Sequence, residues 1–310
     1  MSTEKRNENF MLKQSRYSKG KKNVKQYSKN NASKKGGSGK NSYNAYYKKN
    51  DDGFQPKSNG KSNYGKKKYP SKSKGYPKKN AQKPSIKIAF LGGLNEIGKN
   101  ITLVECENDI IIIDCGMAFP DGDMLGVDLV IPDFTYIEQN ADRVKGIILT
   151  HGHEDHIGGL PFLLSKVNVP IYGTPLTLGL VGNKLKEHSL YNQSQLNVIN
   201  AGQSIKLGCM KIDFIHVNHS IPDAVAFAIH TPGGTIVHTG DFKIDCTPIT
   251  GDMIDLSSFA RVGDEGVLAL LSESTNAERP GYTPTERTVS DSLDNLFKSA
   301  ENYRIIIATF

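Results

Sequence analysis

The pattern of apolar and polar positions changes character near residue 85. From there, short apolar or alternating runs are broken by turn-forming residues. "IKIAFL" (86–91), "NITLVEC" (100–106) and "DIIIIDC" (109–115) predict strands, with Gly92-Gly93 and Asn108-Asp109 as turns. "VKGIILT" (144–150) predicts another buried strand, and "GLPFLLSKV" (159–167) and "PLTLGLVGNKLKEH" (175–188) predict helices. Strands resume at 195–199, 204–217, 224–230, 234–239 and 266–272. Over 285–301, Val289, Leu293, Leu296 and Phe297 recur on one face and predict a helix, and "RIIIATF" (304–310) predicts a final strand. Paired strands precede the first helices and a second strand-rich block follows them. That order predicts an α+β two-sheet sandwich with outer helices rather than a doubly wound sheet.

Residues 1–85 follow neither period. They are Lys, Asn, Ser, Gly and Tyr with almost no branched aliphatics, too little apolar surface to offset the entropy of ordering, so a disordered tail is expected. Charge separates the two parts as sharply: 24 Lys+Arg against 4 Asp+Glu give the tail +20, which leaves 15 against 28, or −13, for 86–310. Lysines with eight interspersed tyrosines suit a sequence-independent RNA tether, because lysines neutralise phosphates and tyrosine rings stack on unpaired bases. A solubilising tail is the plainer reading. No apolar run reaches the roughly 20 residues of a membrane span, and the N-terminus lacks the apolar core of a signal peptide. Cys106, Cys115, Cys209 and Cys246 form no CxxC pair, so reduced thiols and a cytoplasmic location are expected.

The chemistry concentrates in "LTHGHEDHIGG" (149–159), where a buried strand runs into His151, His153, Asp155 and His156. Four potential ligands within six residues have no packing rationale, since charged and imidazole groups do not build cores. Such mixed donors suit Zn²⁺, with Mn²⁺ as an alternative. One loop cannot close two sites, so later strand ends must contribute. "FIHVNHSIPDA" (214–224) offers His216 and His219, and "GGTIVHTGDFKID" (233–245) offers His238 and Asp241. A strand-end carboxylate such as Asp241 can bridge two ions about 3.5–4 Å apart. His216, His230 and His238 fall on alternating strand positions and read as structural. Glu273 ends a further strand, either as a solvated turn residue or, near the metals, to hold a ligand or pass a proton.

"THGHEDHIGG", "HSIPDA" and "HTGDFK", in that order, resemble the metal-binding motifs of the metallo-β-lactamase superfamily. "GGLNEIGKN" (92–100) and "TNAERPGYTPTE" (275–286) narrow the resemblance to the β-CASP nucleases and, within them, to the bacterial ribonuclease J (RNase J) family. The resemblance implies an αββα sandwich over 86–284 and the start of a β-CASP domain over 285–310. It implies two divalent metal ions, with Zn²⁺ favoured over Mn²⁺ or Mg²⁺. His151, His153 and His219 would hold one, Asp155 and His156 the other, and Asp241 would bridge them. Glu273 matches the acidic residue of the first β-CASP motif. The last ligand of the second metal, the remaining motif histidines and the C-terminal domain are expected beyond residue 310, which makes this chain a fragment.

By resemblance the activity is hydrolysis of RNA phosphodiesters, 5′→3′ exonucleolytic and endonucleolytic, in mRNA decay and rRNA maturation. The implied partners are the 5′ end of single-stranded RNA, further copies of the full-length chain, and RNA-decay or ribosome-associated proteins, with no membrane. Three rivals remain at this point. A small-molecule hydrolase shares "HxHxDH" but not the β-CASP-like segment or the basic tail. A DNA-directed nuclease shares the site. A non-catalytic RNase J-like subunit would bind RNA or a partner with a weak or dead site.

Overall fold

The structure, a computed structural model, describes residues 83–308. The expected tail therefore lies outside the described residues except for its last three positions.

One sheet has six strands in chain order: Ile86–Gly92 (β1), Ile101–Cys106 (β2), Asp109–Ile113 (β3), Val144–Ile148 (β4), Ile171–Gly173 (β5) and Leu196–Val198 (β6). β1, β2 and β3 are antiparallel, and the last three strands join in parallel. The β2–β3 turn falls on Glu107-Asn108, one residue before the expected position, with Glu107 at φ 56°. The three-residue β5 escapes the sequence pattern because so short a run carries no period. The second sheet comprises Ser204–Leu207 (β7), Met210–His216 (β8), Val225–Thr231 (β9), Gly234–His238 (β10) and Ala269–Leu271 (β11), in the order β11-β10-β9-β8-β7.

The run 204–217, expected as one strand, is a hairpin. Leu207 pairs with Met210 across Gly208-Cys209, and Gly208 takes φ 59°. The turn is held from the other sheet, because the Asp109 carboxylate accepts from Cys209 N at 2.7 Å.

Three apolar layers follow from the pleat. Ile101, Leu103, Ile110, Ile112 and Ile147 face outward onto helices Thr135–Gln139 (α1), Leu160–Leu164 (α3) and Pro175–Glu187 (α4), through Ile137, Leu163, Leu178, Val181 and Leu185. Val104, Ile111, Ile113 and Ile148 point the other way, to Phe214, Phe227, Ile229 and Ile236 of the second sheet. Ile215, Ala226, Ala228 and Val237 cover that sheet's outer face under Val262 of helix Leu256–Glu265 (α5). The result is the expected α/β/β/α sandwich. Helix α5 was not expected, since "LSSFARVGDE" offers few apolar positions; Asp255 starts it by accepting from Ser258 N at 3.0 Å. The helix expected over 159–167 is shorter, and a separate turn, Glu154–Ile157 (α2), precedes it.

The last helix, Glu286–Ser299 (α6), forms as expected, with its apolar face open to solvent. Its start is pinned by buried Asp245, which accepts from Thr285 Oγ1 at 2.6 Å and from Glu286 N at 2.9 Å. The strand expected over 304–310 is a correction: residues 304–308 are irregular, with Ile306 84% and Ile307 72% exposed. A strand needs a neighbour for its backbone groups, and no described strand lies beside this segment. Residues 309–310 lie outside the described residues. No helix among the described residues is long and apolar enough to cross a membrane.

The inter-sheet layer sets the stability of the fold. Phe214 and Phe227 meet edge to face there, ring centroids 5.1 Å apart. Phe227→Ala should cost about 3–5 kcal/mol, read as a lower urea midpoint, and a loss under about 1 kcal/mol would contradict the packing.

Candidate metal centre

The histidine-rich loop leaves the C-terminal end of β4, in the middle of its sheet, and is held by a residue the sequence reading did not single out. Asp114 follows β3 at φ 59° and is only 2% exposed. Its carboxylate accepts from Thr150 N at 2.8 Å and Thr150 Oγ1 at 2.7 Å, and lies 2.8 Å from His156 Nδ1. A carboxylate closing the apolar run "IIIID" was the available signal, because an acidic group there must find buried partners. The loop backbone is then laced to residues 115–117: Cys115 N donates to His156 O, Gly159 N to Cys115 O, and Met117 N to Glu154 O. The fit requires Gly116, where a Cβ would come within 1.6 Å of Asp155 O.

The other two donors arrive from the second sheet. His219 follows β8 and Asp241 follows β10, and an isolated bridge between Asn218 and Lys243 sets the two strand ends side by side. Val225 N donates to Thr150 O at 2.9 Å, tying that edge to the histidine loop.

Six of the seven site residues expected from sequence come together. His151 Nε2 lies 3.0 Å from His153 Nδ1, which lies 3.2 Å from His219 Nε2. Asp241 directs Oδ2 to His219 Nε2 at 3.6 Å and Oδ1 to His156 Nε2 at 3.5 Å. Asp155 Oδ2 is also 3.5 Å from His156 Nε2. These separations match the edges of a tetrahedron around a metal with bonds of about 2.0–2.1 Å, roughly 3.3–3.4 Å. The arrangement therefore fits divalent cations, and the donors are nitrogen and oxygen only.

Electrostatics agree with that fit. Burial takes the His151 pKa down to about 2 and that of His219 to about 4, leaving neutral rings with free lone pairs at neutral pH. Burial also acts against charge on His156, but Asp114 and then Asp241 outweigh it and hold the ring at about 10. For Asp241, burial is overcome by His156, His151 and His219, and its carboxyl is held well below the usual range. A proton on His156 Nε2 thus faces the carboxylates where a cation would sit.

Glu273, the seventh, lies apart from this cluster but on the same cavity of about 310 Å³, whose walls include Asn100, Asp114, His156, His238 and Asp241. Its Oε2 accepts from Thr275 N at 2.8 Å. The histidines read as structural have local partners: His216 Nε2 with Asp252 O at 3.0 Å, His230 Nε2 with Asp213 at 2.9 Å, and His238 Nδ1 accepting from Gly240 N at 3.1 Å. Roomier hollows of about 430 and 620 Å³ contain none of the clustered donors.

The Asp114 network yields a stability test. Asp114→Ala would strand the Thr150 amide and leave His156 Nδ1 only the Thr150 hydroxyl at 3.4 Å in a buried setting, at a cost of at least about 2 kcal/mol. Urea unfolding of the metal-free protein measures this, and a wild-type midpoint would show that the network carries no stability.

The sequence profile of the Metallo-beta-lactamase superfamily matches residues 94–282. Ribonuclease J of Helicobacter pylori (strain ATCC 700392 / 26695) is 48% identical over 229 residues, covering 74% of this chain and 33% of that protein. Ribonuclease J 1 of Streptococcus pyogenes serotype M3 is 48% identical over 225 residues, 73% of this chain and 40% of the relative. Ribonuclease J2 of Bacillus subtilis (strain 168) is 46% identical over 233 residues, 75% and 41% respectively. The chain thus spans between a third and about two fifths of the length of these curated relatives. Among solved structures, a protein of unknown function from Enterococcus faecalis V583 superposes with a TM-score of 0.53 at 17% identity, over 70% of this chain and 58% of that one, a likeness of fold alone. Profile, identity and fold agree: the chain belongs to the metallo-beta-lactamase superfamily and is similar, over its matched part, to ribonuclease J.

Proposed function

We propose that the clustered donors hold two divalent cations and that the chain is the metal-binding part of an RNA-hydrolysing enzyme of the RNase J type. Asp241 carries the reading, because its two oxygens face two different donor groups. His151, His153 and His219 would hold the first cation, Asp155 and His156 the second, and Asp241 would bridge them. Zn²⁺ suits the donors best, with Mn²⁺ or Mg²⁺ as alternatives. Similarity to proteins named ribonuclease J supports RNA as the substrate.

When bound, the cations supply an acidified water and a positive field over the phosphate. Asp155 orients the attacking water and accepts its proton. The water oxygen bonds to phosphorus as the P–O3′ bond breaks in line, and the departing O3′ takes its proton from a histidine that the resemblance places beyond residue 310, leaving a 5′-phosphate and a 3′-hydroxyl. Glu273, on the wall of the same cavity, relays the proton outward. The same reading gives 5′→3′ exonuclease and endonuclease action in mRNA decay and rRNA maturation in the cytoplasm, with 1–85 as an RNA tether and homo-oligomers of the full-length protein. It makes 86–284 the catalytic core and 285–310 the start of a β-CASP domain, in keeping with the open apolar face of α6.

Two measurements test it. The first donor group has three imidazoles and the second has one, so calorimetric titration of the metal-free 310-residue chain with Zn²⁺ should give a tighter and a weaker step. With the further ligand expected beyond residue 310 also present, a single step of one ion per chain would remove the dinuclear site. In the full-length protein, Asp155→Ala should lower kcat on 5′-labelled single-stranded RNA by about 10²–10⁴-fold with KM little changed. Near wild-type kcat would take Asp155 out of the mechanism. Hydrolysis of a lactam or thioester without RNA cleavage would turn the assignment to a small-molecule hydrolase.

A further inference from the structure

The segment "GGLNEIGKN" (92–100) lies outside the donor set, yet its backbone follows a demanding path. Gly93, Asn95, Gly98 and Lys99 all have positive φ, at 84°, 57°, 103° and 54°. The two non-glycine residues each pay for that conformation with about 1–2 kcal/mol. Such strain persists only where the surroundings over-determine it. Here Lys99 N donates to Met117 O, Asn100 N to Asp155 O, and Gly116 N to Asn100 O.

The path delivers one side chain into the donor cluster. Asn100 Nδ2 stands 3.0 Å from Asp155 O, 3.2 Å from Asp155 Oδ2 and 3.1 Å from His156 Nε2. With two N–H bonds, it satisfies the Asp155 carbonyl with one and leans the other on the Asp155 carboxylate. The opposite amide rotamer would set Oδ1 against two oxygens. On the other end of the amide, Asn100 Oδ1 lies where a Cβ at Gly93 would come within 2.6 Å, so the approach of the two segments requires glycine there.

We propose that Asn100 is a positioning residue for Asp155, holding its carboxylate towards His156 and Asp241 and so setting the affinity of the second cation. This rests on the two-cation reading above. The backbone bond from Asn100 N to Asp155 O already stitches the two segments together, so the side chain's contribution is separable from the fold. Outer partners of metal ligands typically govern affinity in this way.

The test uses the full-length protein, stripped of metal and titrated with Zn²⁺ and, separately, Mn²⁺ by calorimetry. Asn100→Ala and the similarly shaped Asn100→Leu should each weaken the second step by about 10- to 100-fold and leave the first within about twofold. The unchanged first step certifies the fold of each variant. On an Asp155→Ala background, Asn100→Ala should add little, because a residue acting through Asp155 has nothing left to position. An unchanged second step in the single variants, equal weakening of both steps, or full additivity with Asp155→Ala would each overturn the proposal. A wild-type protein binding a single cation would sink the two-cation reading together with it, an outcome distinct from two wild-type steps that Asn100 does not affect.

Discussion

Asp114 is the constraint on which the rest of the site depends. A buried carboxylate without partners would be very costly, and Asp114 avoids that cost by taking the amide and hydroxyl of Thr150 together with the Nδ1 of His156. Those contacts join the end of β3 to the end of β4 and settle which nitrogen of His156 faces outward. Remove the carboxylate, and both the loop's attachment and the ring's orientation lose their reason. The stability of the sheet end and the chemistry of the cluster are one network.

The donors are prearranged at some expense. Imidazole nitrogens 3.0 and 3.2 Å apart face one another across a small space, and burial keeps the His151 and His219 rings neutral. The flanking sheets and the laced loop hold them there. A cation entering such a site meets donors already at tetrahedral spacing and has little reorganisation to drive, the usual advantage of a preorganised site. Asp241 adds coupling, since each of its oxygens answers to a different group.

Much of this was legible in the sequence, and what was not has identifiable causes. The four-ligand loop announced itself because "HGHEDH" has no packing explanation. His219 and Asp241 stood out as strand-end polar residues before turns. The core strands were legible from their apolar runs and the sandwich from their order. Less visible was whatever depends on pairing across the fold. The 204–217 run reads as one strand until Asp109, roughly a hundred residues earlier, captures the turn at Cys209. Helix α5 is polar along much of its length and is set by its Asp255 cap and a partner sheet. Asp114 looked like the end of an apolar strand, because its partners Thr150 and His156 are supplied only by folding. The segment 304–308 has strand composition without a strand's neighbour.

The contact at Gly116 has a consequence for how such a site can change over time. Asp155 O sits where a side-chain carbon would be, and the chain on both sides is hydrogen-bonded residue against residue. Adding or deleting one residue in either strand of that lacing would slide the donors by about 3.8 Å, the spacing of neighbouring Cα atoms. Metal sites tolerate about 0.2 Å. The laced residues 99–100, 114–117 and 154–159 are therefore closed to changes of length, and insertions that alter specificity must enter elsewhere on the rim.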